Sequence, residues 1–279
     1  MKNKKIIAVI SGVAALLVIG IAAFIIFRPD DEVPLEVVTQ TTSGTTTTPP
    51  VTTTEVVTTT YPPFVNGLSE KAQEAKASNS DTVGWIRISN TVIDYPVVQT
   101  SDNDYYVTNN FYEQPDPAGW VFMDFRSAID QGYTTDNILM YGHNMANGTM
   151  FSDLKKYLRD ESFYESNPIV EVSSLTADYQ YKIFAFMLCD GTSTSDFQFW
   201  NYVMFSDTDE EWSCDKYLSR INDKSLITTN VDVKKDDSFL LLSTCNTGDP
   251  NDGTRFVVLA RRVRPGEEAL AGTTGSSRR

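Results

Sequence analysis

Histidine, cysteine and basic residues are all scarce in this sequence. Its 279 residues include one histidine and three cysteines. No two cysteines stand in a CxxC spacing, and one histidine leaves any His/Cys cluster short of ligands, so we expect no metal site and no cofactor. The odd number of cysteines leaves at least one unpaired in a monomer, and nothing resembles the dense disulfide framework of a small secreted domain.

Acidic residues outnumber basic ones, 37 to 23, which gives a formal net charge of −14 at pH 7. Such a balance argues against binding to DNA, RNA or an anionic membrane surface through bulk electrostatics. We therefore expect no nucleic-acid partner. The length allows one folded domain of about 200 residues together with extensions.

The N-terminus contains an uninterrupted apolar run of 22 residues, 6–27. As a helix, a run of this length spans roughly 33 Å, which matches the hydrocarbon core of a bilayer. Lysines at 2, 4 and 5 precede the run, so the positive-inside rule predicts a single-pass anchor with residues 1–5 in the cytoplasm and the remainder outside the cell. A cleaved signal peptide is the alternative, but its apolar region would be shorter and would end in a small-x-small site.

The composition changes abruptly after the apolar run. Residues 28–63 are rich in Thr, Val and Pro, a composition that cannot bury a core and favours an extended stalk. Residues 64–264 have the composition of a globular domain, and residues 265–279 are polar, which predicts a disordered tail.

Short β-type runs dominate the globular part. A helix is predicted over 68–77, with Ser69 as its N-cap, and two further helical segments over 149–158 and 207–222. Runs rich in Val, Ile, Phe and Tyr predict eight strands at 83–88, 92–99, 119–125, 137–141, 169–173, 179–188, 238–244 and 254–263. Eight short strands with few helices predict a mostly β fold, a closed barrel rather than a βαβ sheet.

Cys245 ends a strongly apolar strand, Leu240-Leu-Leu-Ser-Thr-Cys245, where the chain turns into a polar loop. Arg255, ten residues later, opens the next apolar strand. The loop is short enough for an antiparallel pair, which would bring the guanidinium close to the thiol, where it favours the thiolate and can bind a developing oxyanion. The alternatives are a cysteine buried as a small apolar residue and an arginine ion-paired with Asp249 or Asp252.

His143 stands in the same kind of position, directly after the β run Ile138-Leu-Met-Tyr-Gly142 and before a polar loop. Imidazole is the side chain whose ordinary pKa suits a group that must take and give a proton in one cycle. A lone histidine is usually an ordinary surface or core residue. The repeated pattern of a strand, a sharp end and a reactive side chain favours catalysis at both His143 and Cys245.

These motifs together resemble the sortase family of cysteine transpeptidases. The resemblance rests on Tyr141-Gly-His143, on Met150-Phe-Ser-Asp-Leu154, and on Leu242-Ser-Thr-Cys245 followed by Arg255. Finer features resemble class B. They are Asn103-Asp-Tyr-Tyr106 with Asn110-Phe111, Val121-Phe-Met-Asp-Phe-Arg126, and the long insertion between Leu188 and Phe239.

The resemblance implies an eight-stranded sortase-type β-barrel with an N-terminal helix and a helix in the insertion. It implies that Cys245 attacks the scissile carbonyl to form a thioacyl intermediate. His143 would protonate the leaving amine and then deprotonate the incoming one, and Arg255 would steady the substrate carbonyl and the oxyanion. The residue after the nucleophile is often acidic in class B but is Asn246 here, so no acidic assistant is assigned.

The resemblance also implies substrate-binding positions and partners. Ser243 matches a serine that lines the substrate groove, and Asn103 and Val107 match positions on its opposite wall. The expected partners are secreted proteins with a C-terminal sorting signal and an amine acceptor on a peptidoglycan precursor or a pilin lysine, at the surface of a Gram-positive bacterium. Phe199, Trp200 and Tyr202 are candidates either for contacting the signal or for core packing.

Two other functions stay open on the sequence. A cysteine peptidase that only hydrolyses would share the thioacyl step. A non-catalytic surface-binding module on a stalk would need no reactive thiol. A joined product in the presence of an amine acceptor would distinguish a transpeptidase from a hydrolytic peptidase. Loss of activity in Cys245→Ala would distinguish it from a binding module.

Overall fold

The computed structural model describes residues 67–129, 134–247 and 253–279. The predicted cytoplasmic segment 1–5, transmembrane anchor 6–27 and stalk 28–63 lie outside the described residues. Across the described ranges, no helix has both the length and the apolar character needed to cross a bilayer.

Ten strands and four α-helices make up the regular structure of the described residues. In chain order they are α1 (Leu68–Ser78), β1 (Thr82–Arg87), β2 (Asp94–Val98), β3 (Phe122–Met123), β4 (Asn137–Tyr141), α2 (Lys156–Arg159), α3 (Glu161–Ser166), β5 (Ile169–Ser173), β6 (Asp178–Asp190), α4 (Cys214–Lys224), β7 (Ile227–Thr228), β8 (Phe239–Cys245), β9 (Thr254–Arg262) and β10 (Ser277–Arg278). Short 3₁₀ helices lie at Tyr105–Val107, Ser152–Lys155 and Phe199–Asn201.

Eight of the strands close into a barrel, in the order β1-β2-β3-β4-β8-β9-β6-β5. The β2–β3 and β4–β8 pairs are parallel, and the other pairs are antiparallel. The expected closed eight-stranded barrel is confirmed, with α1 at its N-terminal side and α4 in the insertion between β6 and β8. The two remaining strands, β7 and β10, form a small separate sheet.

The strands that carry the predicted catalytic residues are covered on both faces. Leu240 and Leu242 of β8 belong to the core cluster inside the barrel, whereas Leu241 packs outside with the insertion and α4. Side chains alternate between the two faces of a strand, so the sequence of a strand that is buried on both faces is a continuous apolar run. This explains why the sequence before Cys245 is apolar without alternation.

One predicted N-cap and the bounds of two predicted helices were wrong. Helix α1 begins after Gly67 rather than at an N-cap Ser69, because the carboxylate of the distant Asp178 accepts from the backbone N–H groups of Leu68 (3.3 Å) and Ser69 (2.7 Å). The predicted helix 149–158 is a 3₁₀ turn followed by the short α2 and α3. The predicted helix 207–222 begins later, at Cys214, because the Ser213 side chain caps it by accepting from Lys216 N.

The C-terminal segment 265–279 has defined contacts rather than the expected disorder. Lys182 and Arg261, directly paired across β6 and β9, are both fully buried. Glu267 forms an ion pair with each of them, and Lys182 also donates to the carbonyl oxygens of Glu268 and Ala271. Buried cations require partners. The polar tail supplies these partners, a role that its composition did not reveal.

Candidate active site

Strand pairing brings the three predicted catalytic residues to one edge of the barrel. The parallel pair β4–β8 ends with Tyr141 opposite Ser243, and the antiparallel pair β8–β9 places Cys245 directly opposite Arg255. Neighbouring strands lie about 4.8 Å apart. His143 and Cys245 each come two residues after the Tyr141–Ser243 pair, at the carboxyl ends of adjacent parallel strands, so both lie at the same edge of the barrel.

Cys245 is the accessible thiol of the described chain. It is half-buried, whereas Cys189 and Cys214 are buried, and all three are free. Burial raises the pKa of Cys189 and of Cys214 to about 12, which keeps both thiols neutral and unreactive at pH 7. Strand alternation places the Cys245 side chain on the same outer face as Leu241, under the insertion, rather than inside the barrel.

The imidazole of His143 is held by a backbone carbonyl. Its Nε2 lies 2.9 Å from the carbonyl oxygen of Val107. A carbonyl oxygen only accepts hydrogen bonds, so Nε2 carries the proton, and Nδ1 is the nitrogen left to exchange a proton with a reactant. The backbone at His143 is fixed as well, since its own carbonyl accepts from Phe151 N at 2.9 Å and the preceding Gly142 N donates to Ser243 O at 3.2 Å.

The side chain of Arg255 lies against a glycine. A Cβ placed on Gly191 would come within 2.7 Å of Arg255 Cγ, and the backbone N–H of Gly191 donates to Gly253 O at 2.8 Å. Gly191 therefore leaves the space that Arg255 occupies. Within the described residues Arg255 forms no ion pair. Its proposed alternative partners, Asp249 and Asp252, lie outside them.

The predicted substrate-binding residues surround the same edge. Ser243 is 3% exposed and is paired with Tyr141 on one side and Val257 on the other. Val107 is half-buried and contacts His143 through its carbonyl. Asn103 is half-buried, and its amide is already engaged by Asp124 and by the backbone N–H of Phe125. Their contact with a substrate stays a prediction.

The three aromatic candidates of the insertion divide between two environments. Phe199 and Tyr202 are each 2% exposed and pack into the outer core cluster with Tyr217. Trp200 is half-buried at the edge of that cluster. Core packing therefore accounts for Phe199 and Tyr202.

Asp124 is a residue whose importance the sequence reasoning missed. It follows the short strand β3, is fully buried, and accepts hydrogen bonds from Asn103, Arg126 and Tyr141. The available signal was a carboxylate followed two residues later by an arginine, directly after an apolar strand. In the sequence these two residues stand out only as part of the family motif Val121-Phe-Met-Asp-Phe-Arg126.

Comparison with known proteins agrees with this geometry. The family model described as Sortase domain matches residues 86–263. The chain is 34% identical over 200 residues to Sortase B of Listeria monocytogenes, covering 71% of this chain and 77% of that protein. It is 33% identical over 186 residues to Sortase B of Staphylococcus aureus, covering 67% of this chain and 72% of that one.

A solved structure resembles the barrel in the same way. The structure described as a Staphylococcus aureus sortase B-substrate complex superimposes with a TM-score of 0.60 at 31% identity, covering 71% of this chain and 86% of that chain. Sequence, fold and the placement of the reactive residues thus agree. The chain belongs to the sortase family of cysteine transpeptidases, and the relatives that it resembles in sequence and in structure are sortases B.

Proposed function

We propose that this transpeptidase cleaves a sorting signal near the C-terminus of secreted proteins and joins the new carboxyl end to an amine of a peptidoglycan precursor. The observation that carries the proposal is the strand register, which sets Cys245 opposite Arg255 and next to the strand end that bears His143. The similarity to sortases B, one of them described as a substrate complex, supports the same chemistry.

In the acylation step, the Cys245 sulfur attacks the scissile carbonyl carbon and the carbonyl electrons move onto oxygen. Arg255 donates to this oxyanion. Collapse of the intermediate breaks the C–N bond. The proton released by the Cys245 thiol passes to Nδ1 of His143, the nitrogen available because Nε2 is bound to Val107, and His143 then gives this proton to the leaving amine.

In the transfer step, an incoming primary amine attacks the thioester. His143 removes the proton from the attacking nitrogen, the C–S bond breaks, and the Cys245 thiolate is regenerated with a new amide as the product. In this proposal Ser243 and the segment with Asn103 and Val107 line the groove that holds the acyl part. The half-buried site limits the access of water, the competing nucleophile.

The proposal is tested with the full chain in detergent. A panel of sorting-signal peptides is incubated with and without triglycine, whose unhindered primary amine serves as the acceptor probe, and the products are identified by mass spectrometry. We expect a thioester on Cys245 and a peptide joined to triglycine. Cys245→Ala should abolish both, whereas Cys214→Ala, which changes a buried thiol elsewhere, should retain them. Hydrolysis alone with every amine would refute the transfer reaction, and joining only to a lysine side chain would refute the peptidoglycan assignment.

We further propose that the catalytic domain acts outside the cell, held by the 6–27 anchor and the 28–63 stalk. The apolar run, the preceding lysines and the Thr/Pro-rich segment support this placement. In cells stripped of their wall but with intact membranes, an added protease should remove the domain and leave the N-terminus protected. A domain that is digested only after membrane lysis would overturn this topology.

A further inference from the structure

Asp124 is a buried carboxylate at which five hydrogen bonds converge. Arg126 contributes three of them, from its backbone N (3.0 Å), Nε (2.9 Å) and Nη2 (2.8 Å). Asn103 Nδ2 donates at 2.9 Å and the Tyr141 hydroxyl at 3.0 Å. A carboxylate offers about four lone-pair sites, so these contacts saturate it. We call Asp124, Arg126, Asn103 and Tyr141 the Asp124 cluster.

The contacts within the cluster determine the protonation states of Asp124 and Tyr141. Burial alone would raise the pKa of Asp124, but the hydrogen bonds and positive charge of Arg126, with the bond from Asn103, bring that pKa below its ordinary value. Burial and the adjacent Asp124 charge raise the pKa of Tyr141, so its hydroxyl stays protonated and donates. At neutral pH the cluster is therefore a fixed carboxylate surrounded only by donors.

The cluster ties together three separate parts of the active-site edge. Tyr141 is the last residue of β4, two residues before His143. Asn103 lies just before the 3₁₀ helix Tyr105–Val107, whose last carbonyl holds the His143 ring. Arg126 Nη2 extends the link to the insertion by donating to the carbonyl of Trp200 at 2.6 Å.

The orientation of the Asn103 amide also follows from this arrangement. Its Nδ2 points to Asp124, while its Oδ1 accepts from Phe125 N at 3.0 Å. One N–H and one lone pair of the amide are left by these two bonds. The carboxylate thereby determines which edge of the amide a substrate would meet.

Stability alone is a poor explanation for such a cluster. Replacing a buried ion pair by well-packed apolar residues is often neutral or stabilising, so a saturated buried carboxylate is weak evidence for a purely structural role. A network in which every member is satisfied does fix one arrangement of the groups it joins. Here those groups come from both sides of the catalytic edge.

We propose that Asp124 is a positioning residue for transpeptidation, which holds Asn103, Tyr141 and the Trp200 segment in the one arrangement that receives the acyl substrate. The inference rests on the proposed function, because it assumes that the substrate lies between these segments. Asp124 acts through its neighbours and does not itself touch the reacting atoms.

The test compares two buried carboxylates in the full chain. Asp124→Asn keeps the shape but turns an NH₂ group toward groups that are all donors. Asp237→Asn makes the same change in a carboxylate 8% exposed that is bound to Arg264 at 2.6 and 2.7 Å in a different cluster. Steady-state cleavage of a panel peptide that the wild type cleaves, with water as the acyl acceptor, is measured below the unfolding temperature of each variant, together with the rate of Cys245 alkylation by iodoacetamide.

For Asp124→Asn we expect kcat/KM to fall by about 10- to 100-fold, the range for loss of hydrogen bonds to a charged group, mainly through KM. Alkylation of Cys245 should stay within about threefold of the wild-type rate, because the thiol itself is not moved. Asp237→Asn should lower the unfolding temperature and leave kcat/KM within about threefold. Tyr141→Phe, which removes one donor and adds none, should show a smaller rise in KM, and it replaces Asp124→Asn if that variant does not fold.

Three outcomes would overturn the proposal. The first is a near-normal KM in both Asp124→Asn and Tyr141→Phe, and the second is a loss of kcat/KM in Asp237→Asn equal to that in Asp124→Asn. The third is a loss of alkylation that parallels the loss of kcat/KM, which would indicate collapse of the whole site. Cleavage is followed without an acceptor amine, so failure of the wild-type enzyme to join any amine would count against the proposed function and not against the role of Asp124.

Discussion

Glu267 is the carboxylate that neutralises the buried pair Lys182 and Arg261. Its Oε1 accepts from Lys182 Nζ at 2.8 Å, and both of its oxygens accept from the guanidinium of Arg261. Glu267→Gln preserves the shape of the side chain and removes its charge. Two fully buried cations would then face an amide, with only carbonyl groups and the more distant Asp237, 3.7 Å from Arg261 Nε, to compensate them.

The expected loss of stability is substantial. Removing one partner of a buried ion pair costs about 3–5 kcal/mol. We take the lower end, about 3 kcal/mol, because Lys182 keeps two carbonyl acceptors and Arg261 keeps the carbonyl of Asp232 at 2.7 Å. For a domain of this size, 1 kcal/mol corresponds to about 2–4 °C, so the unfolding temperature should fall by roughly 6–12 °C at pH 7.

The stability that Glu267 contributes decreases as the pH falls. Hydrogen bonding to Arg261, followed by bonding to Lys182, holds the pKa of Glu267 well below its usual range despite the opposing effect of burial. A group whose pKa is depressed by folding contributes stability above its unfolded pKa, about 4.3 for glutamate, and loses that contribution as the pH falls toward the folded value. The difference in unfolding temperature between wild type and Glu267→Gln should therefore shrink from pH 7 to pH 3.

Thermal unfolding of both proteins by circular dichroism measures these differences. The matched control is Glu268→Gln, because the Glu268 side chain is exposed and only the backbone carbonyl of this residue binds Lys182. The control should shift the unfolding temperature by less than about 2 °C, as surface substitutions usually do. An equally small shift for Glu267→Gln would refute the assigned role of the tail.

Further predictions concern the reactive residues. Arg255→Lys should lower kcat by about 100-fold, since lysine lacks the planar guanidinium geometry, and a near-normal rate would contradict its role at the oxyanion. Gly191→Ala should also lower kcat, because the new Cβ meets Arg255 Cγ, whereas Gly148→Ala, with open space around it, should only reduce stability. If Gly148→Ala lowers kcat equally, steric displacement of Arg255 is the wrong explanation. Iodoacetamide at pH 7 should label Cys245 alone in the folded protein, and labelling of either other cysteine, detected by peptide mass spectrometry, would contradict their raised pKa values.

Much of the barrel could be predicted because its signals are local. The predicted bounds of strands β4 and β5 equal the observed ones, since each is a short apolar run with clear ends. The antiparallel pairing of Cys245 with Arg255 followed from the short loop between them and is confirmed. Together with the position of His143, these features were sufficient to indicate the family.

The parts that could not be predicted depend on contacts between distant residues. The N-terminus of α1 is set by Asp178, and the order of the tail by Lys182 and Arg261. The sequence around these partner residues does not indicate either contact. The Asp124 cluster joins three segments that no periodicity connects, and Arg126 links them to the insertion, so the role of its carboxylate emerges only when the strands are closed into a barrel.

The parallel pairing of β4 with β8 has a consequence for folding. Residues as distant in sequence as Asn137 and Phe239 must meet before His143 and Cys245 can become neighbours. Contacts of such high contact order form slowly, because a long loop must close before they contribute any stability. A partly folded chain, even one with its helices and hairpins formed, should therefore lack the assembled active site and have no transpeptidase activity. Activity should appear only when the barrel closes, so the enzyme is inactive throughout its own folding.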